Sequence, residues 1–129
     1  MKPMILALSL VLAPLASADI CWTGAVSGDI FDEANWDLSQ SQVTVIDPNV
    51  SIDDNVVIRD APLDVIITGT GGGQSRFQVD EGRSVIIDNS RVVAAGNDGI
   101  GCFQGTQIGI TIEVNNGASL EPYFVVNRV

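Results

Sequence analysis

The sequence predicts an all-β domain assembled from similar strand–turn units, and three observations carry that reading. Short β-branched runs recur along the chain, split by turn-forming residues. No stretch after residue 18 has a helical apolar period. One short pattern also appears three times, as Ile46-Asp-Pro-Asn49-Val-Ser51-Ile52, Val79-Asp-Glu-Gly82-Arg-Ser84-Val85 and Val114-Asn-Asn-Gly117-Ala-Ser119-Leu120. The copies start 33 and 35 residues apart. Asn49, Gly82 and Gly117 share the slot that best tolerates a positive φ, so each copy reads as a strand end, a left-handed turn and the next strand. Units of this kind bury their apolar faces on one another, which would place the three copies at equivalent corners of a stack.

Residues 1–18 read as a secretory signal peptide. Lys2 precedes an apolar run from Met4 to Leu15, and Ala16-Ser17-Ala18 has the small-x-small cleavage pattern. The run is too short for a comfortable membrane span, so no integral membrane protein is expected. Ile20, not a small residue, precedes Cys21, which argues against lipoprotein processing. Cleavage leaves 111 residues from Asp19, suited to one domain that is secreted, extracellular or held at a cell surface. In that mature chain five arginines (59, 76, 83, 91 and 128) oppose 16 acidic residues, a net −11. Such a balance disfavours nucleic acid and anionic membranes as partners. An oxidising compartment makes a Cys21–Cys102 disulfide the expected state, with two separate buried thiols as the alternative.

Residues 19–42 form an aromatic segment. Trp22, Phe31 and Trp36 cluster there, Gly24 and Gly28 interrupt regular structure, and Asp29 or Asp32 can cap one helical turn ending near Asn35. The three aromatics read first as a cap over the end of a β stack. They are also the candidate ligand surface, because aromatic faces suit sugar rings. Leu38 to Gln42 is loop-like, and residues 43–129 are read as a repetitive β domain. Its expected strands are Val43–Ile46, Val50–Ile52, Val56–Arg59, Val65–Thr68, Arg76–Val79, Ser84–Ile87 and Arg91–Ala94. Gly69–Ser75 reads as loop and lacks the Gly-Lys-Ser/Thr of a phosphate-binding turn. Gly96–Gly105, with four glycines and Cys102, also reads as loop. Ile108, Ile110, Ile112 and Val114 alternate onto one strand face, and Leu120–Val126 is the final strand.

The string Trp22-x-Gly24…Ser27-Gly28-Asp29-x-Phe31-Asp32-x-Ala34-Asn35-Trp36, followed by Asp54-Asn-Val-Val-Ile58, resembles the start of large secreted bacterial surface proteins of the autotransporter-passenger kind. The likeness covers Trp22 to about Ile58. It implies a right-handed parallel β-helix. With the threefold pattern, it favours a fragment of such a solenoid, capped by the N-terminal aromatics, over a β-sandwich. Those proteins are usually much longer, so the 43–129 domain is read as open to continuation past Val129.

Histidine is absent and the mature chain has no lysine, which excludes Ser-His-Asp and Cys-His nucleophile systems and the usual zinc sites. Asp53, Asp54, Asp60 and Asp64, or Asp29, Asp32 and Glu33, can in principle supply a glycosidase pair. Adjacent acids on a strand point to opposite faces, however, and acids in turns are commonly structural, so no catalytic residue is assigned. Asn97-Asp98-Gly99-Ile100-Gly101 faintly resembles a β-roll calcium repeat, but a single copy lacks the ligands for a full shell. No cofactor is expected beyond weak calcium binding. Asn49-Val50-Ser51 fits the glycosylation sequon, which matters only in a eukaryotic source. The expected function is an exported, non-catalytic structural or adhesive module. The alternative is a carbohydrate-active protein that binds polysaccharide or cleaves it with carboxylates. Extracellular polysaccharide or cell-surface components are the expected partners.

Overall fold

Aliphatic alternation sets most of the strands, and from β3 on each strand pairs with a non-consecutive partner. The computed structural model describes residues 18–68, 75–95, 101–105, 110–121 and 126–127. β1 (Asp19–Trp22) and β2 (Trp36–Asp37) flank a single 3-10 turn, Glu33–Asn35. There follow β3 (Asn55–Arg59), β4 (Val65–Thr68), β5 (Ser75–Val79), β6 (Ser84–Asp88), β7 (Arg91–Ala95), β8 (Gly101–Gly105), β9 (Thr111–Asn115), β10 (Ser119–Glu121) and β11 (Val126–Asn127). The protein is all-β, as the composition of the runs predicts.

Three sheets result, in the orders β2-β1-β3-β6-β9, β4-β7-β10 and β5-β8-β11. The β1–β2 pair is antiparallel, and the other strand pairs are parallel. From β3 on, consecutive strands enter the three sheets in turn, and the cycle β3–β5 repeats for β6–β8 and again for β9–β11. Two isolated parallel bridges, Asp29↔Ile66 and Ile52↔Val79, add a first layer alongside β1.

The core lies between the sheets. Ile20, Val56, Ile58, Val85 and Ile87 enter it from the first sheet, Val65, Ile67 and Val92 from the second, and Phe77, Val79 and Phe103 from the third. These side chains are almost wholly excluded from solvent. Burying each contributes about 1.5–3 kcal/mol.

The spacing between layers differs from that of the sequence pattern. Val56 pairs with Val85 and Val85 with Ile112, 29 and 27 residues on. Val65 pairs with Val92 and Val92 with Leu120, 27 and 28 residues on. Gly82 and Gly117 do adopt a left-handed φ of 77°, but Asn49 is not among the positive-φ residues. Nor are the three turns equivalent. Asn49 precedes the Ile52 bridge, Gly82 joins the third sheet to the first, and Gly117 joins the first to the second. The equivalent positions are Asp60, Asn89 and Asn116, with φ of 51°, 44° and 55°, each directly after its first-sheet strand. Asp and Asn tolerate this region because their short polar side chains bond locally.

Other boundaries shift for identifiable reasons. Val43–Ile46 forms no strand, although Ile46 is buried as a plug in the core. Val50–Ile52 contributes only the bridge at Ile52. Gly101–Gly105, read as loop, is the strand β8, because parallel pairing with β5 and burial of Phe103 outweigh the low strand preference of glycine. The alternating face at Ile110, Ile112 and Val114 is real, but the strand begins at Thr111 and Val114 is 45% exposed. Ile108 and residues 69–74 of the stretch expected to be loop lie outside the described residues.

Candidate functional site

The aromatic segment folds over the first layer. Asp32 caps the 3-10 turn, its carboxylate accepting from the Ala34 N–H at 3.0 Å. Asn35, at the end of that turn, is fully buried and satisfied at four points. Its Oδ1 accepts from the N–H groups of Val26 (2.8 Å) and Ser27 (2.9 Å), while Nδ2 donates to Ser27 Oγ and the Asp29 carbonyl, both at 3.0 Å. This one amide organises the loop from Val26 to Asp29 and sets the register in which Trp36 pairs with Trp22.

The sequence reads Trp22, Phe31 and Trp36 first as a cap and also as the candidate ligand surface, and in the structure these rings are largely covered. Trp22 and Trp36 are only 7% and 6% exposed, and Phe31 is half-buried. The two indoles meet edge to face at 5.1 Å between centroids. Trp36 stacks on Phe77 at 5.6 Å, Phe31 approaches Phe77 at 5.9 Å, and Phe77 meets Phe103 at 5.7 Å. The rings therefore form a ladder running from the end layer into the third sheet, and ring faces covered in this way cannot stack on a sugar. Trp36 Nε1 donates to the Ile30 carbonyl at 2.8 Å. Trp22 Nε1 is the buried side-chain donor left without a hydrogen bond among the described residues.

The disulfide expectation is corrected as well. Cys21 is a free thiol, half-buried on β1 in the first sheet. Cys102 lies on β8, in the third sheet, paired with Arg76. The core separates those sheets, and the core-facing residues of β1 are its neighbours Ile20 and Trp22. Partial burial raises the Cys21 thiol above its ordinary value, aided by the carboxylates of Asp19 and Asp37 and opposed by Arg59.

Of the nominated carboxylates, Asp53 and Asp54 line one groove, whereas Asp60 and Asp64 bond elsewhere. Asp53 pairs with Arg83 at 2.9 Å. Asp54 is buried and accepts from Ser41 Oγ. Asp60 accepts from Asn89 Nδ2 at 2.9 Å, and Asp64 pairs with Arg91. Asp29 accepts from the Phe31 N–H at 2.9 Å, while Asp32 serves as the cap already described. Much of this bonding joins one layer to the next. Arg59 reaches Asp88 (3.0 Å), Arg91 reaches Glu121 (2.8 Å), and Ser51 Oγ donates to Asp80. Asp88 also accepts from Asn116 Nδ2 at 2.6 Å. That bond first, and Arg59 second, hold its carboxyl below the usual range. No group of three or more metal-ligating side chains occurs among the described residues, and the 97–100 stretch of the calcium-like string lies outside them.

One concave feature stands beside the cap. A groove of about 660 Å³ runs between the extended segment 42–45 and the turn leading to Asp54. Gln40, Gln42, Thr44, Ser51, Asp53 and Arg83 give it a polar lining, interrupted by Val43, Val45 and Val50. Val45 and Val50 are 46% and 38% exposed. The sequence singled out Asp53 and Asp54 as candidate acids but not the groove they line. The polar run Ser39-Gln-Ser-Gln42 was a weak signal, but nothing local places Arg83 opposite it. Among the described residues, no helix is long and apolar enough to cross a membrane. No protein family matches the chain, and no curated protein or solved structure is significantly similar to it.

Proposed function

We propose that the chain is an exported, non-catalytic structural or adhesive module, and that its three sheets wind as a right-handed parallel β-solenoid of the kind found in autotransporter-like surface proteins. Cyclic entry of β3 to β11 into three sheets, parallel except at the β1–β2 pair, supports the winding. A sandwich would instead pair antiparallel neighbours. Right-handedness follows from the chirality of parallel crossovers. Export rests on Lys2, the apolar run after it and Ala16-Ser17-Ala18.

The observation that carries the non-catalytic reading is the use made of the acids. Asp53, Asp60 and Asp64 bond to side chains one layer away, at Arg83, Asn89 and Arg91, instead of facing one another across a cleft. Their work is to hold layers together. The test is a glycan array with polysaccharide hydrolysis and lyase assays on the Asp19–Val129 protein. No turnover is expected. Turnover that disappears on replacing Asp53, Asp54, Asp60 or Asp64 would overturn this reading.

A second reading, polysaccharide binding, is favoured by the groove, whose amides and hydroxyls suit sugar hydroxyl groups. Its site would be Gln40, Gln42 and Thr44 rather than the tryptophans. Array signals that weaken in Gln42→Ala and persist in Trp36→Phe would place binding there.

A further inference from the structure

The left-handed corner after β9 carries a residue pair found nowhere else in the chain, Asn116-Gly117. Asparagine is chemically labile, and most so before glycine, which has no side chain to shield its nitrogen or stiffen the turn. The fold leaves this pair open. Asn116 and Gly117 are both exposed, with φ of 55° and 77°. A Cβ at Gly117 would meet nothing within 4 Å, and no described residue accepts from the Gly117 N–H. Exposure belongs to the corner and not to the last layer. Asp60 and Asn89 are exposed there as well, although β6, which leads into Asn89, is paired on both sides. Asn89 is an internal comparison. It has the same left-handed backbone and donates to Asp60 at 2.9 Å, as Asn116 donates to Asp88 at 2.6 Å. Ser90 follows it, however, and is only 7% exposed, with its hydroxyl tied to the Asp88 carbonyl and the Ala61 N–H.

We propose that Asn116 is a site of spontaneous self-modification, its amide converting to aspartate or isoaspartate through a cyclic imide with Gly117. The Gly117 nitrogen forms a bond to Asn116 Cγ, the Cγ–Nδ2 bond breaks, and ammonia leaves with the proton that Gly117 gives up. Water then opens the ring at either carbonyl. The consequence lies in what the product faces. A donor 2.6 Å from the Asp88 carboxylate becomes a second carboxylate, so the bond that ties this corner to the end of β6 turns into like-charge repulsion. Isoaspartate also adds a methylene to the main chain, inside a turn closed by the Ala118 N–H on the Asn115 carbonyl at 3.1 Å. With age the corner passes from holding its neighbour to repelling it.

The Asp19–Val129 protein is incubated at mildly alkaline pH, folded and in urea, with parallel samples in heavy-oxygen water, and its digests are read by mass spectrometry. Conversion of residue 116 is expected in the folded protein, with heavy oxygen in the product. Its rate advantage over residue 89 should widen on folding by about tenfold, because burial of Ser90 protects Asn89 alone. The product can also be made directly. Asp60 holds the same left-handed backbone at the same corner, so Asn116→Asp should fold. Asn116→Asp should lower the urea midpoint, and adding Asp88→Asn to it should raise the midpoint again by removing the repulsion. An Asn116 that stays intact in the folded protein while the urea sample converts overturns the proposal. So does a ratio of the two sites that folding leaves unchanged. A midpoint in Asn116→Asp equal to the parent's, or one that Asp88→Asn does not restore, overturns the assigned consequence.

Discussion

Gly28 shows how much a single missing methyl group can decide. Its carbonyl accepts from the Ile66 N–H at 2.7 Å, so the loop lies directly against β4. A Cβ there would sit 2.4 Å from the Asp64 carbonyl oxygen, which belongs to backbone and cannot swing aside. Gly28→Ala should therefore cost about 1–3 kcal/mol, read as a lowered urea midpoint at unchanged slope. The sequence marked Gly28 as a breaker but could not reveal that close approach, which belongs to a contact nearly forty residues away along the chain. Cys21 allows a test of similar directness. Its thiol should be alkylated without prior reduction, but more slowly near pH 8 than in an unfolded control, because burial and two nearby carboxylates disfavour the thiolate. A linked Cys21–Cys102 peptide in unreduced digests would contradict the free thiol.

At the scale of elements, the corner after each first-sheet strand is the informative one. Asp60, Asn89 and Asn116 stack there in left-handed conformation, joined by the bonds Asn89–Asp60 and Asn116–Asp88. The Asp88 carboxyl, bonded to Asn116 and then to Arg59, titrates below an ordinary aspartate. A folded-state pKa below the unfolded value means its stabilisation is present above the unfolded pKa and is lost as pH falls through the folded one. Stability measured from neutral pH down past about pH 4 should thus fall by a component that Asp88→Asn removes, and a carboxyl NMR titration should place Asp88 below the usual 3.9 or so. The strands themselves were largely legible in sequence, since Val56–Arg59, Val65–Thr68 and Ser84–Ile87 announce themselves by aliphatic density. Layer spacing was not. Turns at different corners share one chemistry, so Gly82 and Gly117 look alike in sequence although they lead into different sheets. β8 was missed because its glycines carry no strand signal of their own and its partner β5 supplies the reason to extend.

For the whole molecule, the contrast between β6 and β7, paired on both sides, and β9 and β10, each with one neighbouring strand among the described residues, predicts a gradient. Backbone amides of β9 and β10 should exchange with deuterium sooner than those of β6 and β7, which are paired on both sides. Equal protection along the stack would contradict the account. The aromatic cap was legible in kind, but how deeply its rings are covered was not. Trp22, Phe31 and Trp36 do cluster, but sequence cannot show that Phe77 and Phe103 extend the cluster inward and bury its faces. The groove beside the cap was not legible, because Gln42 and Arg83 meet only once the layers have stacked.

The direction of the hydrogen bonds has a mechanical corollary. On the solenoid reading proposed above, the ladder bonds of each sheet, as in β3-β6-β9 and β4-β7-β10, lie along the direction in which the layers succeed one another. Tension applied between the chain ends would load them singly, like a zipper, and not side by side in shear. Pulled in an optical trap, the protein should lengthen in several small, low-force steps that start at the β9–β11 layer, and the capped layer should yield last. One abrupt high-force rupture would mean that the layers fail together, as strands sheared in concert do.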